Sequence, residues 1–469
     1  MLSGQGVSPA ASLQIQALED EKESRTPEQQ KIDSQLLYAL KMERVPPTAL
    51  QSLQVDVGQS EQGRVVVDIS GTIDDKLLQV LTNMGATVVV STPEYNSIRV
   101  EVGLDRLEEI ALSDSVRFIQ PKQDCMLAGV SSPTTTVDDV RSSTGFHARE
   151  QRVRTQLAKE LNATQSKDAS LQPGFMTTFG SFHSEGDVTH RANTARGTFN
   201  TDGTGVKIGV LSNGVISIAQ SQALGELGLV TILPGQVGSG DEGTAMLEVI
   251  HDLAPGAQLY FATGAVSIGS FARNIRNLRA AGCDIIVDDV GYFAETPFQD
   301  GQAPAIISNT NGGVVLQAVN DVTSAGALYF SSAGNGGNKD IATSTIFQGD
   351  FVDGGANALT PGGTVNNFGG GTLFDTITSS SGAAINLYWA DPLGASANDY
   401  DLFVLNSTGT AVIAASTNVQ NGTQDPFEQV ASSANATNNR IVVLKKTAAA
   451  PRFFYLTVNG NISGRLAIT

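Results

Sequence analysis

The sequence is poor in cysteine, in charge and in basic residues. Its 469 residues include only 2 cysteines, Cys125 and Cys283, too few for a disulfide-stabilised scaffold. Charged residues make up 16% of the chain, against about 25% in an average soluble protein. The 29 Lys and Arg residues face 47 Asp and Glu residues, for a net charge of −18. A chain this acidic, without a basic block, argues against binding of nucleic acid or of an anionic membrane.

Long apolar runs are lacking as well. No stretch approaches the roughly 18 apolar residues that span a bilayer, and residues 1–50 contain no apolar core of a signal peptide. Hydrophobic residues nevertheless make up 41% of the chain, and 49 residues are glycine. The length predicts about three domains. The low charge and the many small polar residues are typical of secreted proteins, although no signal peptide is visible.

Hydrophobic periodicity divides the chain into five parts. Residues 1–60 are polar, with one predicted helix over residues 27–42 and no core of their own. Residues 61–122 alternate as βαββαβ, the pattern of a ferredoxin-like domain. Residues 123–196 are rich in Ser, Thr and Gln and predict a linker with a helix near residues 148–161.

The remaining two parts differ in the kind of sheet they predict. In residues 197–343 apolar strands alternate with helices, which indicates an α/β fold with a parallel sheet. Function in such sheets gathers at the carboxyl ends of the strands. In residues 344–469 short alternating strands are separated by turns rich in Gly and Asn, which predicts an antiparallel β-sandwich or jelly roll.

Three segments at predicted strand ends carry polar residues of chemical interest. Residues 205–215 contain Ser212 and Asn213, residues 240–257 contain Glu242, and residues 328–336 contain Asn335. In their order and spacing, these segments resemble the subtilisin and sedolisin superfamily of serine peptidases. The resemblance covers residues 203–340. It implies a catalytic core at residues 197–343, a polypeptide substrate, no cofactor and secretion from the cell.

The same resemblance extends to the flanking parts. The βαββαβ unit looks like the inhibitory prodomain of that superfamily, which would make it an intramolecular partner of the core. The C-terminal strands look like a prepeptidase-type β-sandwich, inserted into the catalytic fold or appended to it.

The match to the catalytic residues of the superfamily is mixed. Ser212, followed by Asn213, stands where subtilisins have the catalytic Asp. Glu242 stands where subtilisins have the catalytic His, and sedolisins also have Glu there. The second acid of sedolisins falls on Met246. The resemblance implies that Asn335 is the oxyanion-hole donor.

Two further residues bear on the acid–base chemistry. Asp289 matches the substrate-binding edge of subtilisins and could replace the missing second acid, or it could be a solvated carboxylate at a strand end. Glu242 could act as a base that stays usable in acid, or it could only cap its helix. His251 is interpreted as a packed or capping residue.

The sequence assigns neither a metal site nor a nucleophile. Asp391, Asn398, Asp399 and Asp401 could supply oxygen ligands to Ca²⁺, but turn chemistry explains them equally well, and no metal ligand is assigned. No Gly-Thr-Ser tract follows Asn335. We therefore expect a chain that is truncated before its nucleophile and inactive alone.

Two functions and one geometric prediction follow. The first function is a serine endopeptidase, and the alternative is a noncatalytic secreted protein that binds polypeptide. In either case Ser212, Glu242, Asp289 and Asn335 should line one cleft, within roughly 10 to 12 Å of one another. The pKa of Glu242 should be perturbed if Asp289 is close. An exposed apolar groove should mark the place of the missing helix.

Overall fold

The structure is a computed structural model. It describes residues 7–44, 50–127, 180, 182–295, 297–298, 313–334, 336–337, 344–355, 362–380, 382–458 and 465–466. The helix predicted near residues 148–161 and the candidate residue Asn335 lie outside these residues.

Two helices precede the first sheet, where the sequence predicted one. They are α1, Pro9–Glu23, and α2, Ser34–Arg44. Helix α1 begins where the Ser8 hydroxyl accepts a hydrogen bond from the backbone N–H of Ala11 at 3.2 Å, the usual N-cap arrangement. The apolar side chains of α1 pack on the C-terminal sheets, whereas most of those of α2 pack on the first sheet. The segment therefore has no core of its own and packs against both the first sheet and the C-terminal sheets.

Residues 64–121 contain the βαββαβ elements that the sequence predicts. The elements are β1 Arg64–Gly71, α3 Asp75–Asn83, β2 Thr87–Thr92, β3 Ser97–Gly103, α4 Leu107–Ala111 and β4 Val116–Pro121. The four strands pair antiparallel in the order β2-β3-β1-β4. After β4, the chain forms the short strand β5, Met126–Leu127.

A parallel sheet forms the centre of the molecule. Its part of the chain comprises α5 Gly186–Thr189, α6 Ala192–Phe199, β6 Lys207–Ser212, α7 Ile218–Leu224, β7 Val230–Ile232, α8 Glu242–Leu253, β8 Gln258–Thr263, α9 Ile268–Ala280, β9 Ile285–Asp288, β10 Val290–Gly291, α10 Val314–Ser324 and β11 Leu328–Ser331. Five strands pair in parallel in the order β11-β9-β6-β8-β7.

Successive side chains of β6 point to opposite faces of the sheet, and their contacts show which helices cover each face. Leu211 packs with α9 and α10, whereas Val210 packs with Leu247 of α8. The sheet is therefore covered on both sides, which explains why its strands are continuous apolar runs. The strand β11 lies at one edge of the described sheet, and Leu328 and Phe330 there are 58% and 56% exposed. The apolar groove predicted for a missing helix stays a prediction.

The C-terminal part consists of two antiparallel sheets. Its strands are β12 Ile346–Asp350, β13 Gly363–Val365, β14 Asp375–Ser379, β15 Ile385–Trp389, β16 Tyr400–Leu405, β17 Val412–Ser416, β18 Phe427–Val430, β19 Arg440–Lys446, β20 Phe453–Thr457 and β21 Arg465–Leu466. One sheet has the order β12-β20-β15-β18; the other has the order β17-β16-β19-β14-β21, with β13 on β19. Trp389 and Phe454 of the first sheet share a core with Leu402 and Val443 of the second.

Strand pairing thus changes from parallel to antiparallel between Ser331 and Ile346, close to the predicted boundary. Within the described part of the chain, no helix is both long and apolar enough to cross a bilayer.

Candidate active site

The site begins at the carboxyl end of β6. Ser212 is the last residue of this strand, and it is fully buried. The side-chain oxygen Oδ1 of Asn213 accepts a hydrogen bond from the backbone N–H of Glu242 at 3.1 Å. Gly240 has a φ of +101°, and a Cβ atom there would lie 2.3 Å from the amide nitrogen of Asn213. Asn213 therefore holds the turn that delivers Glu242 to the end of β6.

Glu242 is the first residue of α8, where a carboxylate is favoured by the helix dipole. The next residue must be small, because a Cβ atom on Gly243 would lie 2.5 Å from the ring of Phe261 and 2.7 Å from the backbone oxygen of Gly214. This close approach places the start of α8 against the central strands. Glu242 is consequently turned toward the sheet rather than toward solvent.

The carboxyl group of Glu242 has two polar neighbours. The hydroxyl of Ser212 donates a hydrogen bond to Oε2 of Glu242. Asp289, which follows β9, lies within hydrogen-bonding distance of the same carboxyl group. The structure thus brings together three of the four predicted site residues.

Burial is the main reason that the pKa of Glu242 is raised to about 7. The Ser212 hydrogen bond lowers this pKa, while the adjacent Asp289 and, more weakly, Asp288 raise it. Two neighbouring carboxyl groups resist joint ionisation, which is why the proximity of Asp289 raises the pKa of Glu242. The expected perturbation of Glu242 is present. However, the advantage predicted for a Glu base in acid is removed, because its pKa reaches the range of an ordinary histidine.

Asp288 and Asp289 point to opposite sides, as strand alternation predicts. The carboxylate of Asp288 accepts hydrogen bonds from the hydroxyl of Ser331 at 2.8 Å and from the backbone N–H of Val290 at 3.2 Å. One oxygen of Asp289, Oδ1, is buried and has no hydrogen-bond partner among the described residues. Asp288 therefore connects β9 to β11. Oδ1 of Asp289, in contrast, could accept a hydrogen bond from a further donor.

The edge next to Asp289 is already paired with an extended segment of the same chain. Leu127 pairs with Val290 and Met126 with Gly291 in antiparallel register. Burial is the main reason that the pKa of the preceding thiol, Cys125, is raised to about 11, and the negative charge of Glu242 also raises it. The sequence predicts a linker here, whereas Met126 and Leu127 form a paired strand. The apolar run of Cys125, Met126 and Leu127 within a polar stretch is the signal that could have identified it.

A cavity of about 350 Å³ opens beside β10. Val290 and Gly291 line it on one side, and Ala333, Gly334 and Gly336 line it from the segment after β11. The predicted oxyanion donor, Asn335, lies within this segment but outside the described residues, so its place in the cleft stays a prediction.

Other candidates from the sequence do not join this site. His251 lies near the end of α8, and partial burial lowers its pKa. Met246, at the position of the sedolisin acid, is partly buried among the apolar residues beneath α8.

The candidate Ca²⁺ ligands are occupied by donors of the protein itself. Asp391 accepts hydrogen bonds from Arg452 at 2.7 Å and from the amide of Asn398 at 2.8 Å. Asp399 and Asp401 both pair with Lys22, at 2.6 and 2.7 Å. No cluster that could hold a metal ion occurs in the described ranges. In this structure the four side chains therefore take part in ion pairs and hydrogen bonds within the chain.

Comparisons with known proteins give structural similarities only. No protein-family model and no curated protein sequence matches the chain. The epidermin leader peptide processing serine protease EpiP of Staphylococcus aureus is 11% identical, with a TM-score of 0.29, over 58% of this chain and 60% of that chain. The CspB protease of Clostridium perfringens is 12% identical, with a TM-score of 0.33, over 60% and 68% of the two chains.

A third similar structure is fervidolysin from Fervidobacterium pennivorans, a keratinolytic enzyme related to subtilisin. It is 12% identical, with a TM-score of 0.30, over 82% of this chain and 54% of that chain. The present chain therefore spans about 60% of the length of EpiP and less of fervidolysin. At these TM-scores the candidate site rests on its own geometry.

Proposed function

We propose that this protein is a serine-type endopeptidase of the subtilisin and sedolisin type, with Glu242 as the general base. The observation that carries the proposal is the contact of Glu242 with Asp289 at the carboxyl ends of parallel strands, beside an edge strand that pairs with extended polypeptide. A base is most effective when its pKa lies near the working pH. A pKa of about 7 gives Glu242 that property at neutral pH.

In this proposal each residue of the pair has its own role. Glu242 accepts the proton of the attacking serine hydroxyl, and Asp289 acts as the second acid that tunes and orients it. The hydroxyl that Glu242 contacts in the described residues belongs to Ser212, which is fully buried. Ser212 therefore serves as a positioning residue, because substrate could not reach it. The nucleophile itself is not assigned.

Strand pairing supports extended polypeptide as the proposed substrate. Strand β10 already accepts Met126 and Leu127 as an antiparallel neighbour, which is the way β-strand addition binds peptides. In this proposal the segment that follows the first domain occupies the edge as an intramolecular inhibitor, and a substrate replaces it. In keeping with the resemblance to secreted peptidases, the proposed activity is extracellular.

A serine-directed fluorophosphonate tests the proposal directly. Labelling of the full-length protein between pH 4 and pH 8, followed by mass spectrometry, should identify one modified serine. Glu242→Gln should abolish labelling. Glu248→Gln is the matched control, since Glu248 lies on the same helix and accepts a hydrogen bond from Ser221, away from the site. Equal labelling of both variants would disprove the role of Glu242.

The variant Asp289→Asn tests whether Asp289 is the second acid of the site or only a solvated carboxylate at a strand end. Removal of the like charge should lower the pKa of Glu242, because Asp289 raises it in the wild-type protein. The acid limb of kcat/KM should consequently move to lower pH. An unchanged limb would leave Asp289 without a role in catalysis.

The second candidate function is polypeptide binding without cleavage. The buried position of Ser212 favours it, because no substrate-accessible serine is seen to contact Glu242 in the described residues. Peptide binding without labelling or hydrolysis, at every pH tested, would establish this function instead.

A further inference from the structure

Residues 9–44, which contain α1 and α2, lie between the βαββαβ unit of residues 64–121 and the C-terminal sandwich. Apolar side chains of α2, among them Leu36 and Leu40, belong to the core of the βαββαβ unit. Those of α1, together with Tyr38 of α2, pack against strands of the sandwich. We name residues 9–44 the N-terminal clamp, because they contact both parts at once.

The start of α2 binds a short segment of the sandwich that follows β17. Oδ1 of Asn418 accepts a hydrogen bond from the backbone N–H of Ser34 at 2.8 Å, and Nδ2 of Asn418 donates to Asp33 at 3.0 Å. The backbone N–H of Thr417 donates to the hydroxyl of Ser34 at 3.0 Å. The hydroxyl oxygens of Thr417 and Tyr38 are 2.6 Å apart. All five residues are buried, so separation of the two surfaces would break hydrogen bonds that are shielded from water.

Two buried cations of the clamp strengthen the same attachment. Lys22 pairs with Asp399 and Asp401 of the sandwich, at 2.6 and 2.7 Å. Arg25 donates to the backbone carbonyl of Thr417 at 2.7 Å. Both cations are buried. A buried charge that loses its partner is strongly unfavourable, so these contacts resist partial opening of the clamp.

The βαββαβ unit also contacts the parallel-sheet part directly, through one exposed and one buried arginine. Arg273 of α9 pairs with Glu94, and the two side chains are 36% and 44% exposed. Ion pairs this exposed contribute little. The buried Arg99, paired with Asp68, donates to the backbone carbonyl of Val266. This direct contact is therefore poorer in buried polar interactions than the contact of the clamp with the sandwich.

We propose that the N-terminal clamp is the main attachment of the βαββαβ unit to the rest of the molecule, and that it keeps the unit bound after the chain between β5 and α5 is cut. The partner that fits the sandwich surface at Thr417 and Asn418 is thus the chain's own N-terminal fragment, held without a covalent link. This retention does not rest on the proposed function.

The regulatory consequence of the clamp does rest on the proposed function. In that proposal, β5 occupies the edge of β10 as an intramolecular inhibitor. Because β5 follows the βαββαβ unit directly, a clamp that retains this unit also retains β5. Cutting the chain would then leave the site blocked, and activity would require the clamp to open.

The retention test uses the full chain with an N-terminal tag and with a recognition sequence for a site-specific protease inserted between residues 140 and 141. The protein is immobilised through the tag and cut, and loss of the C-terminal fragment from the surface is followed by interferometry. We expect the fragment to dissociate slowly, over hours. Dissociation too fast to separate from the cut itself would overturn the inference.

Asn418→Ala and Arg273→Gln show which attachment retains the fragment. Asn418→Ala leaves the N–H of Ser34 and the carboxylate of Asp33 buried without this partner, so dissociation should be faster by about tenfold or more. Arg273→Gln, the matched control, removes the exposed ion pair with Glu94 and should accelerate dissociation by less than about threefold. Equal effects, or a larger effect of Arg273→Gln, would overturn the inference.

A second clamp variant guards against a folding defect in the first. Ser34→Ala removes the acceptor of the Thr417 N–H from the opposite surface and should accelerate dissociation by about fivefold. The thermal midpoint of the uncut variants shows whether each one folds. If Asn418→Ala does not fold, Ser34→Ala decides the test, and an unchanged dissociation rate would overturn the inference.

Peptide hydrolysis by the cut protein then tests the regulatory consequence. Activity should appear with the time course of dissociation, and sooner in Asn418→Ala than in Arg273→Gln. Full activity directly after the cut, before the fragments separate, would overturn the regulatory role but leave the retention and the proposed function standing. Dissociation without any hydrolysis would count against the proposed function and leave the retention intact.

Discussion

At the residue scale, the environment of Glu242 sets its chemistry. Burial and the neighbouring Asp289 raise its pKa to about 7, and the Ser212 hydroxyl partly offsets this rise. A base at this position therefore combines the geometry of a carboxylate with the titration range of a histidine. The same environment makes the ionised form of Glu242 unfavourable for folding, which leads to a prediction about stability.

Glu242→Gln should stabilise the protein above pH 7 while it abolishes the proposed activity. The folded pKa lies above the unfolded value of 4.5, so ionisation penalises the folded state increasingly from pH 4.5 to 7. Glutamine keeps an acceptor for Ser212 and removes the charge. We expect a gain of about 1 kcal/mol at pH 8, discounted because the side chain is partly exposed, and no gain at pH 4. Urea unfolding at both pH values measures this difference; an equal effect at both would contradict the explanation.

Ser212→Ala should raise the pKa of Glu242 further, because the lost hydrogen bond favours the ionised form. The acid limb of the pH profile, or of phosphonate labelling, should move to higher pH. If the Ser212 hydroxyl had only a structural role, its loss would change the unfolding midpoint but would not shift the acid limb of the pH profile. Thr244→Ala, which removes a hydrogen bond to Asp241 near the start of the same helix, is the control.

At the scale of elements, α1 closes the edge of the C-terminal sandwich. Strand β17 ends one of its sheets, and the side chain of Gln14 both donates to and accepts from the backbone of Val412, at 2.9 and 2.8 Å. An exposed strand edge is prone to pair with other chains, and this contact covers it. Lys22, fully buried, completes the attachment through Asp399 and Asp401.

Lys22→Met should destabilise the sandwich strongly. It leaves the buried carboxyl group of Asp401 and the partly buried one of Asp399 without their cation, and breaking a buried ion pair typically costs about 3–5 kcal/mol. Lys76→Met is the matched control, because Lys76 is exposed and lies 3.9 Å from the exposed Asp114, and we expect less than about 0.5 kcal/mol there. Urea unfolding followed by the fluorescence of Trp389, the single tryptophan, which is buried in the sandwich core, measures both. Equal effects would exclude a special role for Lys22.

At the scale of the whole molecule, buried carboxyl groups dominate the dependence of stability on pH. Burial raises the pKa of Asp33 to about 6 and that of Asp375 to about 7, and it raises the pKa of Glu295 well above the usual range. Each of these groups binds a proton more tightly in the folded state. By linkage, the free energy of unfolding should therefore rise as the pH falls from 8 to about 5.

Two groups of residues act in the opposite direction. The lowered pKa of His251 removes some stability as the pH falls through 6.5. Ion-paired acids such as Glu21 and Glu108, whose pKa is lowered, lose their contribution below about pH 4.5. We expect a maximum near pH 5, measured as the thermal midpoint in buffers from pH 3 to pH 9.

High salt distinguishes this explanation from the general repulsion of a chain with a net charge of −18. Repulsion between surface charges is screened in 1 M NaCl, whereas the titration of buried groups is screened much less. The rise in stability toward pH 5 should therefore persist in salt. Its disappearance would assign the effect to net charge.

The sequence by itself determined the order and type of most elements. The βαββαβ order of residues 61–122 and the alternation of strands and helices in residues 197–343 were readable, because the two periodicities both report which face of an element is buried. The change from parallel to antiparallel pairing was readable for the same reason. Strand ends also identified Ser212, Glu242 and Asp289 as neighbours, since parallel strands deliver their carboxyl ends to one edge.

Only the tertiary structure decided what these residues can do. The pKa of Glu242 depends on burial and on Asp289, which lies 47 residues later in the chain. The pairing of Met126 with Gly291 and the ion pair of Lys22 with Asp401 join positions far apart in the sequence. Local patterns report which side of an element is buried, but they carry no information about which charges meet there. Because the energy of a buried charge depends on its partner and its distance from water, that chemistry follows from packing.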